Sequence, residues 1–156
     1  MRFAIEKIKS EKISYNLVAG IPYGGMPLSY CIAFKLGAPC LTIRKDGVKK
    51  TGTMATSAEI LGIYKNGDKV LMIEDAVSSA NSAIEFAGRL RKAGLLVTDV
   101  LSLVDVGRGA AENLKAQNIC LHSIFQWKNL YECYKTRKPG ALNPEVKVYL
   151  DNMFGK

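Results

Sequence analysis

The sequence predicts an α/β fold: a mainly parallel, twisted sheet with helices on both faces. Two patterns carry that expectation. Short apolar runs alternate with segments of helical period along the chain. A strong turn signal, Asn66-Gly67, sits between AEILGIY (58–64) and KVLMIE (69–74) and predicts one antiparallel hairpin.

The elements follow in chain order. Residues 3–13 read as a helix with Phe3, Ile5, Ile8 and Ile13 partly aligned. NLVAGI (16–21) is a short buried strand, and the loop PYGGMP follows it. Residues 27–37 read as a helix ending at Gly37, and CLTIR (40–44) as the next strand. The polar stretch KDGVKKTGTMATS (45–57) has no useful periodicity and reads as a loop. Beyond the expected hairpin, residues 80–93 form an amphipathic helix with Ile84, Phe86, Ala87 and Leu90 near one face. LLVTDVLSLVDV (95–106) is a strand, GAAENLKAQN (109–118) a helix and ICLHSIF (119–125) a strand. Two helical segments, 126–136 and 144–153, close the chain around Pro139-Gly140.

A chain of 156 residues is a single-domain length, so residues 1–156 are expected to form one domain. Its 48% hydrophobic and 23% charged content fits a globular protein. No apolar run reaches the length of a membrane span, and the charged opening MRFAIEKIKSEK is unlike an ordinary signal peptide. No membrane partner and a cytoplasmic location are therefore expected. Cys31, Cys40, Cys120 and Cys133 form no C-x-x-C pair. Cys40 and Cys120 lie in apolar runs, which favours buried thiols over disulfides or metal ligation.

The net charge of +8 asks for an anionic partner or a solvated basic surface. The basic residues are dispersed, without interleaved aromatics, and no zinc-finger or helix-turn-helix signature is present. Phosphorylated small molecules are thus favoured over nucleic acid. Arg89, Arg91 and Lys92 are expected to form a solvated helix face. His122, in an apolar strand, reads as structural, and Trp127, Tyr131 and Tyr134 read as packing residues. Asp99 reads as exposed or capping, whereas Asp105, at a strand end, can approach a ligand.

Ligands of such sheets bind beyond the carboxyl ends of the strands. Three polar loops leave those ends, at 21–27, 45–57 and 75–82. The last begins in VLMIEDAVSSANS, where Glu74 and Asp75 precede a run of small residues, Ser78, Ser79, Ala80, Asn81 and Ser82. Such a turn offers hydroxyls and backbone N–H groups to a phosphate at a helix N-terminus. Tyr23, Gly24 and Gly25 let bare backbone approach a second anion. Arg44, Lys45, Lys49 and Lys50 supply cations from a segment able to close as a lid. Together these suit a ligand with a monophosphate and a diphosphate bridged by magnesium. G-x-x-x-x-G-K-S/T and G-x-G-x-x-G are both absent.

GIPYGGMPLS (20–29), TIRKDGVKKTG (42–52), VLMIEDAVSSANS (70–82) and residues 95–125 resemble, in this order, segments of the type I phosphoribosyltransferases. Within that family the chain is most similar to orotate phosphoribosyltransferase, including the domain in UMP synthases. The resemblance covers nearly all of the chain from residue 12 onward. It implies transfer of ribose 5-phosphate from phosphoribosyl diphosphate (PRPP) to orotate with Mg²⁺ as cofactor, release of pyrophosphate, and a homodimer. It also implies that Glu74 and Asp75 meet the ribose hydroxyls, directly or through metal-bound water, with no protein metal site assigned. Residues 78–82 become the 5-phosphate cradle, Tyr23, Gly24 and Gly25 part of the diphosphate loop, and Arg44, Lys45 and Lys49 diphosphate contacts.

The sequence also departs from the family pattern. Ala80 stands where the cradle usually has glycine, and Thr51 where many lids have histidine. Val106 stands where an arginine reads the orotate carboxylate, with Arg108 two residues on as a substitute. The chain begins about where the family core starts, so the N-terminal hood is expected to be reduced or absent. These departures leave open a non-catalytic relative that binds a phosphorylated ligand, and a PRPP-dependent transferase for another base.

Overall fold

The structure, a computed structural model, describes residues 1–45, 59–137 and 143–154. Its strands are β1 (Leu17–Gly20), β2 (Cys40–Ile43), β3 (Ile60–Leu61), β4 (Lys69–Val77), β5 (Leu96–Asp105) and β6 (Cys120–Gln126). Its helices are α1 (Arg2–Ser10), α2 (Gly25–Leu36), α3 (Asn81–Lys92), α4 (Ala110–Lys115), α5 (Trp127–Arg137) and α6 (Pro144–Phe154). The strands form one sheet in the order β3-β2-β1-β4-β5-β6. Every pairing is parallel except β2 with β3. The expected mainly parallel α/β architecture is therefore present.

Alternation along the central strands explains the two covered faces. Val18, Leu71, Ile73 and Leu101 pack with Ala4 and Ile8 of α1 and Ile32 and Ala33 of α2. Their neighbours Leu17, Ala19, Val70, Met72 and Val100 pack with Ala83, Phe86, Ala87 and Leu90 of α3 and Leu114 of α4. A strand with apolar residues at every position can be buried only in this way. The chain leaves β1 outward to β2 and β3, then returns to the opposite side of β1 for β4 and continues to β6. That reversal makes the gap beyond the carboxyl ends of β1 and β4 a topological switch point, where ligands of such sheets bind.

The structure corrects several expectations. The hairpin between 58–64 and 69–74 does not form, because β3 pairs antiparallel with β2 through Thr42–Leu61 and Ile43–Ile60. Asn66-Gly67 still makes a tight turn, but it docks on the α3–β5 corner: Gly67 N–H donates to Gly94 O at 2.8 Å. α1 stops at Ser10, and Ile13 is buried beyond it. β4 runs on to Val77, so Asp75, expected in the loop at 75–82, belongs to the strand together with Glu74.

Cys120 is exposed and Cys40 only half-buried, contrary to the buried-thiol reading; all four cysteines are free. Arg91 and Lys92 are exposed, whereas Arg89 is only half-exposed and is held by other groups. Arg91 Nη2 also donates to Val97 O at 2.7 Å and Gln117 O at 3.0 Å, tying α3 to β5 and to the segment after α4. Asp99 is neither exposed nor a cap; it accepts a bond from His122 Nε2 at 2.7 Å. His122 is buried between Asp99 and Glu11, consistent with a structural role. Tyr131 is also buried, its hydroxyl donating to Asp151 Oδ1 at 2.8 Å. Among the described residues no helix is long and apolar enough to cross a membrane.

The α3–β5 corner gives a direct test of this packing. Gly94 has φ +84°, and a Cβ there would overlap the Asn66 side chain. Left-handed backbone costs an L-residue about 1–2 kcal/mol. Gly94→Ala is expected to lower stability by at least that amount in urea denaturation, and unchanged stability would show that this corner is not held as described.

Candidate active site

At the switch point, β4 emerges from the core between β1 and β5, and its last residues meet the start of α2. Gly25 N–H donates to Ile21 O at 3.0 Å, and Ile21 N–H donates to Ile73 O at 2.9 Å. The backbones lie so close that a Cβ on Gly25 would overlap Ile73 O, and one on Gly24 would overlap the Asp75 carboxylate. At Gly25, which faces backbone, glycine is required by close approach rather than by φ. The structure thus brings Gly24 and Gly25 against the acid pair. The Pro22–Tyr23 peptide is cis, and the Tyr23 ring is largely exposed.

The two acids have different surroundings. Asp75 is exposed. Glu74 is 8% exposed, and its Oε2 is buried without a hydrogen-bond partner. Burial first, and the Asp75 charge second, push the Glu74 carboxyl up to about 7. Glu74 also borders an apolar cavity of about 150 Å³ with Leu28, Ile32, Leu101 and Ile124 among its walls. An orphaned acceptor beside an exposed carboxylate is a donor set suited to hydroxyls or to a hydrated hard cation such as Mg²⁺.

After β4 the chain passes Ser78 and Ser79 into α3. Ala80 is the residue before the helix, with φ +64° and ψ +17°. No side chain caps α3, so its first N–H groups remain available to an anion. Asn113 Nδ2 of α4 donates to Ser79 O at 3.0 Å and fixes the turn from the other side. Asn81 and Ser82 are exposed at the helix start.

Lys45 Nζ lies 5.2 Å from the centre of the Tyr23 ring, joining the root of the 45–57 loop to the 21–27 loop. Arg89 was read from sequence as a surface residue, yet it organises this region. Its Nη1 donates to Arg44 O at 3.0 Å and Lys45 O at 3.1 Å, and pairs with Glu59 at 2.9 Å. Arg89 therefore ties residues 44–45 to residue 59, with Glu85 as a further partner. No local sequence signal marks this role, because the contacts are long-range. Lys49, Lys50 and Thr51 lie outside the described residues.

Arg108 is exposed and stands beside a cleft of about 290 Å³ with Ser78, Val106, Trp127, Tyr149 and Leu150. Asp105 is committed to the turn: it accepts from Gly107 N–H at 2.8 Å and from Gln126 Nε2 at 3.2 Å. Sequence reasoning, which left Asp105 free to approach a ligand, missed this pairing.

The buried carboxyl makes stability depend on pH. Glu74 binds its proton more tightly folded than unfolded, so the folded state holds more protons between the ordinary carboxyl range and about 7. Stability is expected to fall as pH rises through that window and to level off above it. Glu74→Gln should flatten this slope, removing about 1–3 kcal/mol of pH dependence in denaturation at pH 5 and pH 8. An unchanged slope would place the titration elsewhere.

Comparison with known proteins agrees with this geometry. The family model for the phosphoribosyl transferase domain matches residues 1–135. Orotate phosphoribosyltransferase of Caenorhabditis elegans is 37% identical over 127 residues, covering 81% of this chain and 54% of the worm protein. Orotate phosphoribosyltransferase of Methanocorpusculum labreanum is 36% identical over 121 residues, covering 78% of this chain and 69% of that protein. The structure of Leishmania donovani UMP synthase superposes with a TM-score of 0.79 at 26% identity, over 99% of this chain and 32% of that one. The chain spans about half the length of the worm relative and about a third of the UMP synthase chain. With a matched family model over most of its length and the switch-point geometry above, the chain belongs to the phosphoribosyltransferase family, alongside the orotate phosphoribosyltransferases.

Proposed function

We propose that the chain transfers ribose 5-phosphate from PRPP to a nucleobase, orotate first among them, and releases pyrophosphate in pyrimidine nucleotide biosynthesis. One observation carries the reading: an uncapped helix N-terminus follows an acid pair whose inner member has an unpaired buried oxygen. A phosphorylated sugar answers both features, its phosphate meeting the N–H groups and its hydroxyls meeting the carboxylates.

In this reading the 5-phosphate rests on the backbone of residues 80–82, with Ser78, Ser79 and Ser82 supplying hydroxyls. Asp75 and Glu74 accept from the ribose hydroxyls and favour the positive charge that develops on the ribose ring as the diphosphate departs. The backbone at Gly24 and Gly25 meets the diphosphate, which Arg44, Lys45 and Lys49 neutralise as its charge grows. Mg²⁺ held by Asp75, Glu74 and the ligand's own oxygens would supply further charge neutralisation. The Tyr23 ring and the Lys45 Nζ over it serve in this reading to keep water from the reactive ribose. Pairing of two copies, with the 45–57 loop serving the neighbouring site, belongs to the same proposal.

Calorimetric titration with PRPP and Mg²⁺, followed by orotate and a pyrophosphate-release assay, tests the whole reading. Binding followed by turnover is the expected result. Binding without turnover would favour the non-catalytic relative, and no PRPP binding would sink the proposal.

Asp75→Asn is expected to weaken PRPP binding about ten- to a hundred-fold, the value of a lost charge-assisted contact. Its melting temperature should stay near wild type because Asp75 is exposed. Unchanged affinity would remove Asp75 from the ribose site.

Base recognition divides at Arg108. Val106 cannot pair a carboxylate, so orotate turnover is expected to be weak or to depend on Arg108. Arg108→Ala should then raise the orotate KM about ten-fold or more while leaving PRPP affinity unchanged. Robust turnover that survives this substitution would show that neither residue reads the carboxylate.

A further inference from the structure

A second cluster of reactive side chains lies toward the amino ends of β5 and β6, away from the switch point. Asp99 and Cys120 are register partners across the two parallel strands, and His122 follows Cys120 by two residues. One ligand atom from each of Asp99, Cys120 and His122 lies within 4.8 Å of the others. The proposed transfer uses none of them.

Their supporting contacts are those that metal-binding residues have. His122 is 8% exposed, and its Nδ1 bonds Glu11, which leaves Nε2 directed at Asp99 Oδ1, 2.7 Å away. Glu11 is itself fixed by Lys7 Nζ at 2.6 Å. The other oxygen of Asp99 accepts from Thr98 Oγ1 at 2.7 Å. A ligating imidazole commonly has its second nitrogen held by a carboxylate, and ligating carboxylates are themselves hydrogen-bonded. Cys120 is exposed, so an ion can reach the cluster from solvent.

We propose that Asp99, Cys120 and His122 bind a divalent transition-metal ion of borderline softness, Zn²⁺ foremost, with Glu11 orienting the imidazole. Sulfur, nitrogen and carboxylate oxygen from three residues, with a fourth position open to water, form a donor set that zinc accepts tetrahedrally. At metal–ligand bonds of about 2.0–2.3 Å, tetrahedral ligand atoms sit roughly 3.3–3.7 Å apart. Nε2 and Asp99 Oδ1 need only separate slightly to admit the ion. The ion takes the place of the proton between them, and the Cys120 thiol loses its proton, so affinity rises with pH. The bound ion would join β5 to the edge strand β6.

Titration of the intact protein with Co²⁺ in excess Mg²⁺ tests the site, the magnesium occupying all-oxygen sites. One equivalent should produce a thiolate-to-cobalt charge-transfer band with tetrahedral visible bands, and Zn²⁺ should bleach both. Cys120→Ser, at an exposed position, should abolish the charge-transfer band without unfolding the protein. Asp99→Asn and Glu11→Gln should each weaken Zn²⁺ binding about ten- to a hundred-fold. No charge-transfer band in the wild type would overturn the proposal. So would a band that survives Cys120→Ser, because Cys31, Cys40 or Cys133 would then hold the cobalt.

Discussion

The close approach of two backbones, α2's first turn and the end of β4, is the constraint on which the rest depends. Gly24 and Gly25 have no Cβ, so Asp75 and the Ile73 carbonyl can occupy the space that side chains would fill. This contact sets where β4 leaves the sheet relative to β1, and therefore the width of the switch point. It also brings together one peptide loop and one acid pair that lie about fifty residues apart in sequence. A larger residue at Gly25 would push α2 away from the strand, whereas one at Gly24 would meet the exposed Asp75 carboxylate, which can swing aside.

Electrostatics follows from that geometry. Glu74 is carried below the surface by the strand that must bury Leu71, Met72 and Ile73. A carboxylate placed there without a cation is costly, and the rise in its pKa expresses that cost. The charge of Arg89 is directed at backbone carbonyls and at Glu59 and Glu85. In the proposed reading the acid pair meets hydroxyls or a cation that arrive with the ligand. The site therefore gives up folding stability for a group that becomes useful only when hydroxyls or a cation reach it.

The sequence made some of this legible and hid the rest for physical reasons. β1 and residues 70–73 of β4 are apolar at successive positions, so their burial on both faces could be read locally. The candidate loops at 21–27 and 75–82 could be proposed because parallel sheets place the segments that leave the strands' carboxyl ends at one edge. The antiparallel partner of β3 was misassigned: Asn66-Gly67 is a genuine turn, but Ile60 and Leu61 gain more by extending β2 beside Ile43. Arg89, Asn113 and Gln126 carry no motif; their contacts span tens of residues or sit at turns whose shape only the fold fixes. His122 showed its burial but not Glu11, which lies 111 residues away.

Ala80 shows how a departure from the family pattern is accommodated. Its φ of +64° is a conformation that glycine adopts freely and alanine does not, costing about 1–2 kcal/mol. Yet the residue is 4% exposed and belongs to the same core cluster as Val77, Ala83 and Ala110. Burying one methyl group returns about 0.8 kcal/mol, which offsets much of the backbone cost. The turn into α3 can therefore keep a glycine-like path with a side chain that faces the core and leaves the helix N-terminus uncapped. A larger residue at this position would keep the backbone penalty and lose the fit, so the tolerance extends to a methyl group and stops there.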